Sequence, residues 1–206
     1  MTRNIFFDLD GTLIDCKKRL YNLFTDLAPS HGLTFEDYAS LKSKQVNQRE
    51  MLVKYCGYDE ADVELFRLKW LNLIEDPERL MSDSVIGFNE LDRIAKRYDL
   101  YIVTNRQNKE STLAQLESLG LLQFFKDVLV TEQKTSKTKL IQKYVHCLDA
   151  MDVIIGDTCE DIITGKELGI QTVAVESGFL SKDVLLRQNP DFIIKSVRDL
   201  YETCCL

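Results

Sequence analysis

Four polar clusters follow short apolar runs in this chain, and their residue types are those that handle a phosphoryl group. Asp8-Leu9-Asp10-Gly11-Thr12-Leu13 follows Ile5-Phe6-Phe7, and Thr104-Asn105 follows Tyr101-Ile102-Val103. A lysine-rich stretch holds Lys134, Lys137 and Lys139, and Gly156-Asp157-Thr158-Cys159-Glu160-Asp161 follows Val153-Ile154-Ile155. Carboxylates of Asp8, Asp10 and Asp157 brought into one crevice repel one another and call for a cation. Hard oxygen donors suit Mg²⁺, which keeps open positions that phosphate oxygens fill. The Thr104 hydroxyl, backbone N–H groups near Asn105 and a lysine add donors for the same phosphoryl group.

For these clusters to meet, the runs before them must lie side by side, because ligands bind at the carboxyl ends of strands in an open parallel sheet. Strands are expected at residues 4–7, 100–103, 128–130, 153–155, 172–175 and 192–194, with helix-period segments between them. Residues 109–119 place Leu113, Leu116 and Leu119 on one stripe before Gly120, and residues 160–168 stop at Gly169. The pattern predicts an α/β fold, a Rossmann-like parallel sheet with helices on both faces. One interval breaks the rhythm: a βαβ unit takes about 30 residues, and the gap between the first two strands is far longer. Its periodicity gives helices at 17–28, 47–56 and 59–75, with a capping box at 34–37. A helical cap subdomain is therefore expected at 16–81, inserted after the first strand. The core is then 1–15 and 82–206, with residues 87–97 as its crossover helix.

Composition narrows the partners. The 206 residues carry 26 Lys plus Arg against 33 Asp plus Glu, a net charge of -7, and no basic stripe suited to a nucleic acid polymer. No apolar run approaches the roughly 20 residues of a membrane span, and the start has no leader pattern. A small-molecule phosphate ester as partner and a cytoplasmic location are the expectations. Six cysteines lie without metal-binding spacing, so reduced thiols are expected. His146 and Cys147, being neighbours, diverge too far to form a zinc pair. His31 reads as a helix-end residue, and Trp70 with its apolar neighbours as core.

Taken in order, DLDGTL at 8–13, VTN at 103–105, a lysine near 137 and GDTCED at 156–161 resemble the motifs of the haloacid dehalogenase-like superfamily of phosphohydrolases. The resemblance is to its phosphoglycolate phosphatase-like and β-phosphoglucomutase-like branch. It implies that Asp8 is the nucleophile that becomes an aspartyl-phosphate, and that Asp10 is the acid and base. It implies a Mg²⁺ held by Asp8, the Asp10 backbone carbonyl and Asp157, with Asp161 in support and Thr104, Asn105 and Lys137 on the phosphoryl oxygens. The resemblance favours Lys137, since the family's lysine opens a helix three residues before an apolar pair, here Leu140-Ile141, with Lys134 and Lys139 still open. Plainer roles compete: Thr104 and Asn105 as caps for the helix at Lys109, and Asp161 as a helix-dipole partner.

Within that family the second aspartate argues against a dehalogenase. The expected activity is a Mg²⁺-dependent phosphatase acting on a small phosphomonoester of the phosphoglycolate, sugar phosphate or nucleotide class. A β-phosphoglucomutase-like phosphomutase, or a non-enzymatic phosphate-responsive or interaction module, are the alternatives. Residues 42–49 are the expected specificity loop, with Lys44 and Arg49 binding an anionic substrate.

Overall fold

The computed structural model describes residues 2–30 and 32–203, so His31 and the C-terminal cysteines lie outside the described residues. The chain opens with β1 (Asn4–Phe7) and a short β2 (Ile14–Asp15). Five helices follow: α1 (Lys17–Leu27), α2 (Phe35–Ser43), α3 (Gln48–Cys56), α4 (Glu60–Leu73) and α5 (Pro77–Leu80). After β3 (Ser84–Val85) and α6 (Phe88–Ala95), strands and helices alternate. They are β4 (Asp99–Thr104), α7 (Lys109–Ser118), β5 (Asp127–Val130), α8 (Lys137–Tyr144), β6 (Val153–Gly156), α9 (Cys159–Leu168), β7 (Gln171–Val175), α10 (Lys182–Leu186), β8 (Phe192–Ile194) and α11 (Leu200–Thr203).

Six strands form one sheet in the order β5-β4-β1-β6-β7-β8, and every neighbouring pair is parallel. The chain builds outward from β1 on one side through β4 and β5, then crosses to β6 and builds outward on the other. That reversal puts the switch point, where a crevice opens, at the carboxyl end of β1. β1 is buried throughout because both sheet faces are covered. Ile5 and Phe7 pack with Leu91, Ile94 and Leu116 of α6 and α7, whereas Phe6 packs with Leu140 and Ile141 of α8. The α/β class expected from the sequence is the one observed.

The inserted helices carry a core of their own, centred on Phe24, Tyr38, Met51, Phe66 and Trp70. Their starts are fixed locally: Thr34 and Asp37 form the capping box of α2, and Asn47 and Asp59 cap α3 and α4. An addition to the expected elements is the antiparallel ribbon at the root of the insertion, where Ile14 pairs with Val85 and Asp15 with Ser84. Two-residue strands offer no alternation for a pattern to register. Among the described residues, no helix is long and apolar enough to cross a membrane.

Candidate active site

Asp8 is the first residue past β1, and its N–H still donates to the Ile155 carbonyl at 2.8 Å, which extends the sheet by one rung. The chain then turns on itself, with the Leu13 N–H reaching the Leu9 carbonyl at 2.9 Å. Asp8 and Asp10 thereby line the same cavity. Gly11 makes the turn possible: its φ is +90°, and a Cβ there would lie 2.5 Å from Asp157 Oδ2. A Cβ at Gly178 would collide with the same carboxylate, so Asp157 sits in a cradle that only glycines leave open.

Lys137 opens α8 behind its cap Ser136 and places its ammonium 2.6 Å from Asp8 Oδ1 and 2.6 Å from Asp161 Oδ1. Asp161 is fixed in turn at the start of α9, its Oδ2 accepting the Thr158 N–H at 3.1 Å and hydroxyl at 2.6 Å. The Thr12 hydroxyl donates to Asp157 Oδ1 at 3.2 Å. Burial pushes the Asp8 carboxyl up to about 7, with Lys137 opposing the rise and the Asp161 charge adding to it. Burial, then the charges of Asp8 and Asp161, also raise Asp157 well above the usual carboxylate range. Burial alone would lower Lys137, but Asp161 and Asp8 outweigh it and hold the ammonium charged.

Oxygens of Asp8, Asp157 and Asp161 all lie within 4.8 Å of one another, and all three residues are buried. Three carboxylates against the one ammonium of Lys137 leave negative charge in excess. A hard divalent cation fits this donor set, since its charge would offset that excess and favour the ionised carboxylates.

Asp10 is gripped from the other side. Arg106 donates to it through Nε at 2.7 Å and Nη2 at 3.0 Å, and Arg19 through Nη2 at 2.7 Å. Burial would raise its carboxyl, but Arg106 and then Arg19 win and hold it below the usual range. Arg19 is itself anchored, its Nε 2.9 Å from both oxygens of Asp83 and its Nη1 2.7 Å from the Ile74 carbonyl. Both arginines are buried. The inserted helices close over the cavity at two points. Glu75 accepts the N–H groups of Gln107 and Asn108 at 2.7 and 3.0 Å. Opposite it, Gln45 Nε2 donates to Cys159 Sγ at 3.2 Å, and Ser181 N–H to the Ser43 carbonyl at 3.1 Å. A cavity of about 460 Å³ remains between them.

Among known proteins, the family model described as haloacid dehalogenase-like hydrolase matches residues 5–175. The chain belongs to that family. A relative named pyrophosphatase PpaX, from Oceanobacillus iheyensis, is 24% identical over 206 residues, covering 96% of this chain and 94% of its own. Two solved structures share the fold. A haloacid dehalogenase-like hydrolase from Streptococcus pneumoniae has a TM-score of 0.70 at 22% identity, covering 98% of this chain and 97% of that one. A protein described as a predicted phosphoglycolate phosphatase from Haemophilus somnus has a TM-score of 0.75 at 18% identity, with the same coverage.

In this haloacid dehalogenase-like hydrolase, Asp8, Asp10, Thr104, Asn105 and Lys137 line one cavity, with Asp157 and Asp161 beside Asp8. Lys134 instead pairs with Glu132 at 3.5 Å, and Lys139 is exposed. The helix at Lys109 is capped by Asn108, whose side chain accepts the Ser111 N–H at 3.0 Å, which leaves Thr104 and Asn105 free of that task. Asn105 is not idle: it donates to Glu160 at 2.7 Å and accepts from the Thr131 hydroxyl at 3.2 Å.

Two expected residues are not brought to the cavity. Arg49 turns to Glu60, its Nε 3.2 Å from Oε2, in the exposed groove between α3 and α4. Lys44 is exposed at the end of α2 and lines neither this cavity nor the one beside it. The chain turns at the end of α2, and it is Lys42 on the helix with Gln45 and Val46 past it that face inward, Gln45 with φ +64°. Sequence reasoning passed over Arg19, Arg106 and Glu75. Only Arg106 carried a signal, since it directly follows Thr104-Asn105.

Proposed function

We propose that this chain is a Mg²⁺-dependent phosphatase that hydrolyses a small phosphomonoester through an aspartyl-phosphate on Asp8. The observation that carries the reading is the Asp8 carboxylate itself. It is buried, 2.6 Å from Lys137 and within 4.8 Å of Asp157 and Asp161, with Asp10 two residues along in the same cavity. Asp8, Asp157 and the Asp10 backbone would hold Mg²⁺, which when bound supplies positive charge against the phosphoryl oxygens. An Asp8 carboxylate oxygen forms the new bond to phosphorus as the bond to the leaving oxygen breaks, and Asp10 gives that oxygen a proton. In the second half Asp10 takes a proton from water as the water oxygen displaces Asp8, releasing phosphate. Arg106 and Arg19 favour the ionised Asp10, the form this second half requires, and the proton it takes from water there is the one it gives to the leaving oxygen of the next turnover. Lys137, Thr104 and the backbone at Asn105 orient the phosphoryl group.

The family membership and the phosphatase names of the relatives support the same reading. A phosphomutase has to re-bind a phosphorylated intermediate through basic groups on the inserted helices, and the placement of Lys44 and Arg49 argues against it. A cytoplasmic location goes with the proposal on the same compositional grounds as above.

The test is phosphate release from an ester panel with Mg²⁺ or EDTA, comparing wild type with Asp8→Asn. Turnover that needs the metal and disappears in the variant is expected. Turnover that survives Asp8→Asn would remove the aspartyl-phosphate from the account.

A further inference from the structure

The side of the cavity facing the Asp8 cluster decides which leaving group fits, and every cation that lines it is already paired with a carboxylate. Three cationic side chains line the cavity: Lys137, Arg19 and Arg106. Lys137 is divided between Asp8 and Asp161, Arg19 among Asp83, Asp10 and a carbonyl, and Arg106 lies on Asp10. Their side chains are 3%, 3% and 4% exposed. Arg106 Nη1 has no hydrogen-bond partner, but it is covered from solvent while the two nitrogens beside it donate to Asp10.

Negative charge, by contrast, is accessible. The Asp10 side chain is 29% exposed, Glu160 is exposed and Glu75 half-buried, all on the same cavity. The apolar part of the covering surface is Leu20, Trp70, Leu71, Ile74 and Leu180, and the uncharged polar part is Gln45, Gln107 and Gln133. Lys42 and Lys17 belong to a neighbouring cavity of about 390 Å³ that shares Asp10, Leu20 and Gln45 with this one. It touches none of Asp8, Thr104, Asn105 and Lys137, the residues proposed to hold the phosphoryl group, and Lys17 donates to the Ser177 carbonyl at 2.8 Å.

We propose that the substrate is a phosphomonoester whose leaving group has an apolar body and no negative charge. The chain therefore discriminates against pyrophosphate and against esters that carry a carboxylate. This rests on the phosphatase reading, and it separates the chain from the substrate in the PpaX relatives' name. The physical basis is twofold. In this cavity an anionic leaving group would meet Asp10, Glu75 and Glu160 with every lining cation already paired, while an apolar one buries surface against Trp70 and its neighbours.

The experiment measures kcat/KM of the purified full chain, with Mg²⁺, on phenethyl phosphate, phosphoglycolate and inorganic pyrophosphate. Phenethyl phosphate and phosphoglycolate both release an alkoxide, so their ratio reads the covering surface rather than leaving-group chemistry. Phenethyl phosphate is expected to lead each of the others by roughly tenfold or more. Leu71→Arg, which adds a cation to that surface, is expected to shrink the gap to phosphoglycolate by about tenfold. Wild-type preference for pyrophosphate or phosphoglycolate would overturn the proposal and leave the phosphatase standing. Turnover of no ester at all would remove the phosphatase and this proposal with it.

Discussion

Asp8, Lys137 and Asp161 at one end of the cavity, and Leu20, Trp70, Leu71 and Ile74 at the other, owe their positions to different forces. The charged residues stand at the ends of β1 and the starts of α8 and α9, so strand pairing and helix capping set their backbones before any side chain packs. Each then holds the next by short charged hydrogen bonds in a buried setting. The apolar set comes from the faces of α1 and α4 and the turn after it, and its position depends on how a second core docks onto the first. Chemistry is thus placed by the sheet and selectivity by the insertion, and substitutions at the two ends have to fail in different ways.

The largest effect belongs at the charged end. Asp8→Asn keeps the shape and removes the proposed nucleophile, and phosphate release is expected to fall by on the order of 10⁴-fold. An Asp8→Asn enzyme within tenfold of wild type would place the chemistry elsewhere. Lys137→Met acts through stability as well. It leaves Asp8 and Asp161 buried without their shared cation, and breaking such a pair costs about 3–5 kcal/mol, readable in urea unfolding without added metal. Next comes Arg106→Lys, which cannot reproduce the two-nitrogen grip on Asp10. Its kcat is expected to drop about 10- to 100-fold with little change in KM, since misplacing a proton-transfer group costs that order. A change confined to KM would show that Arg106 meets substrate and does not position Asp10.

The same contrast explains what the sequence made legible. Asp8, Asp10, Thr104, Asn105 and Asp157 were found because apolar strands announce themselves by composition, and a crevice forms where such strands end. Lys137 was preferred over Lys134 and Lys139 only through the resemblance, whose motif sets a lysine before an apolar pair such as Leu140-Ile141, and the sequence left all three open. Arg19 was not separable, because Lys17-Lys18-Arg19 reads as a solvated run. Its burial depends on Asp83, Asp10 and the Ile74 carbonyl, which come from three distant segments. Glu75 sits before Asp76-Pro77 and reads as an exposed helix end, while in the fold it accepts two N–H groups at the approach to α7. Local pattern carries a residue's secondary structure, and it carries a buried ion's partners only when they are neighbours in sequence.

At the apolar end the effects are smaller. Glu75→Gln removes the charge from the clasp between the insertion and residues 107–108 but keeps an acceptor, so the loss is about 1 kcal/mol. It should appear as faster hydrogen exchange at the Gln107 and Asn108 amides and a severalfold rise in KM, with kcat nearly unchanged. Unaltered exchange would mean that the insertion is held by its other contacts, those of Arg19, Gln45 and Ser43 among them, and not by Glu75.

The smallest expected effect tests the comparison most sharply, because it concerns residues that the sequence placed in the site and the fold does not. Arg49 and Glu60 form an exposed pair between α3 and α4, and Lys44 lies on the outer surface. An exposed ion pair contributes between nothing and about 1 kcal/mol, and neither residue reaches the cavity. Arg49→Ala and Lys44→Ala should therefore keep kcat/KM within about twofold on every ester, anionic or not, and keep stability within about 1 kcal/mol. If either variant lost activity on phosphoglycolate while keeping it on phenethyl phosphate, the insertion would have to swing these residues over the cavity during turnover. Selectivity would then reside in that motion and not in the apolar surface seen here.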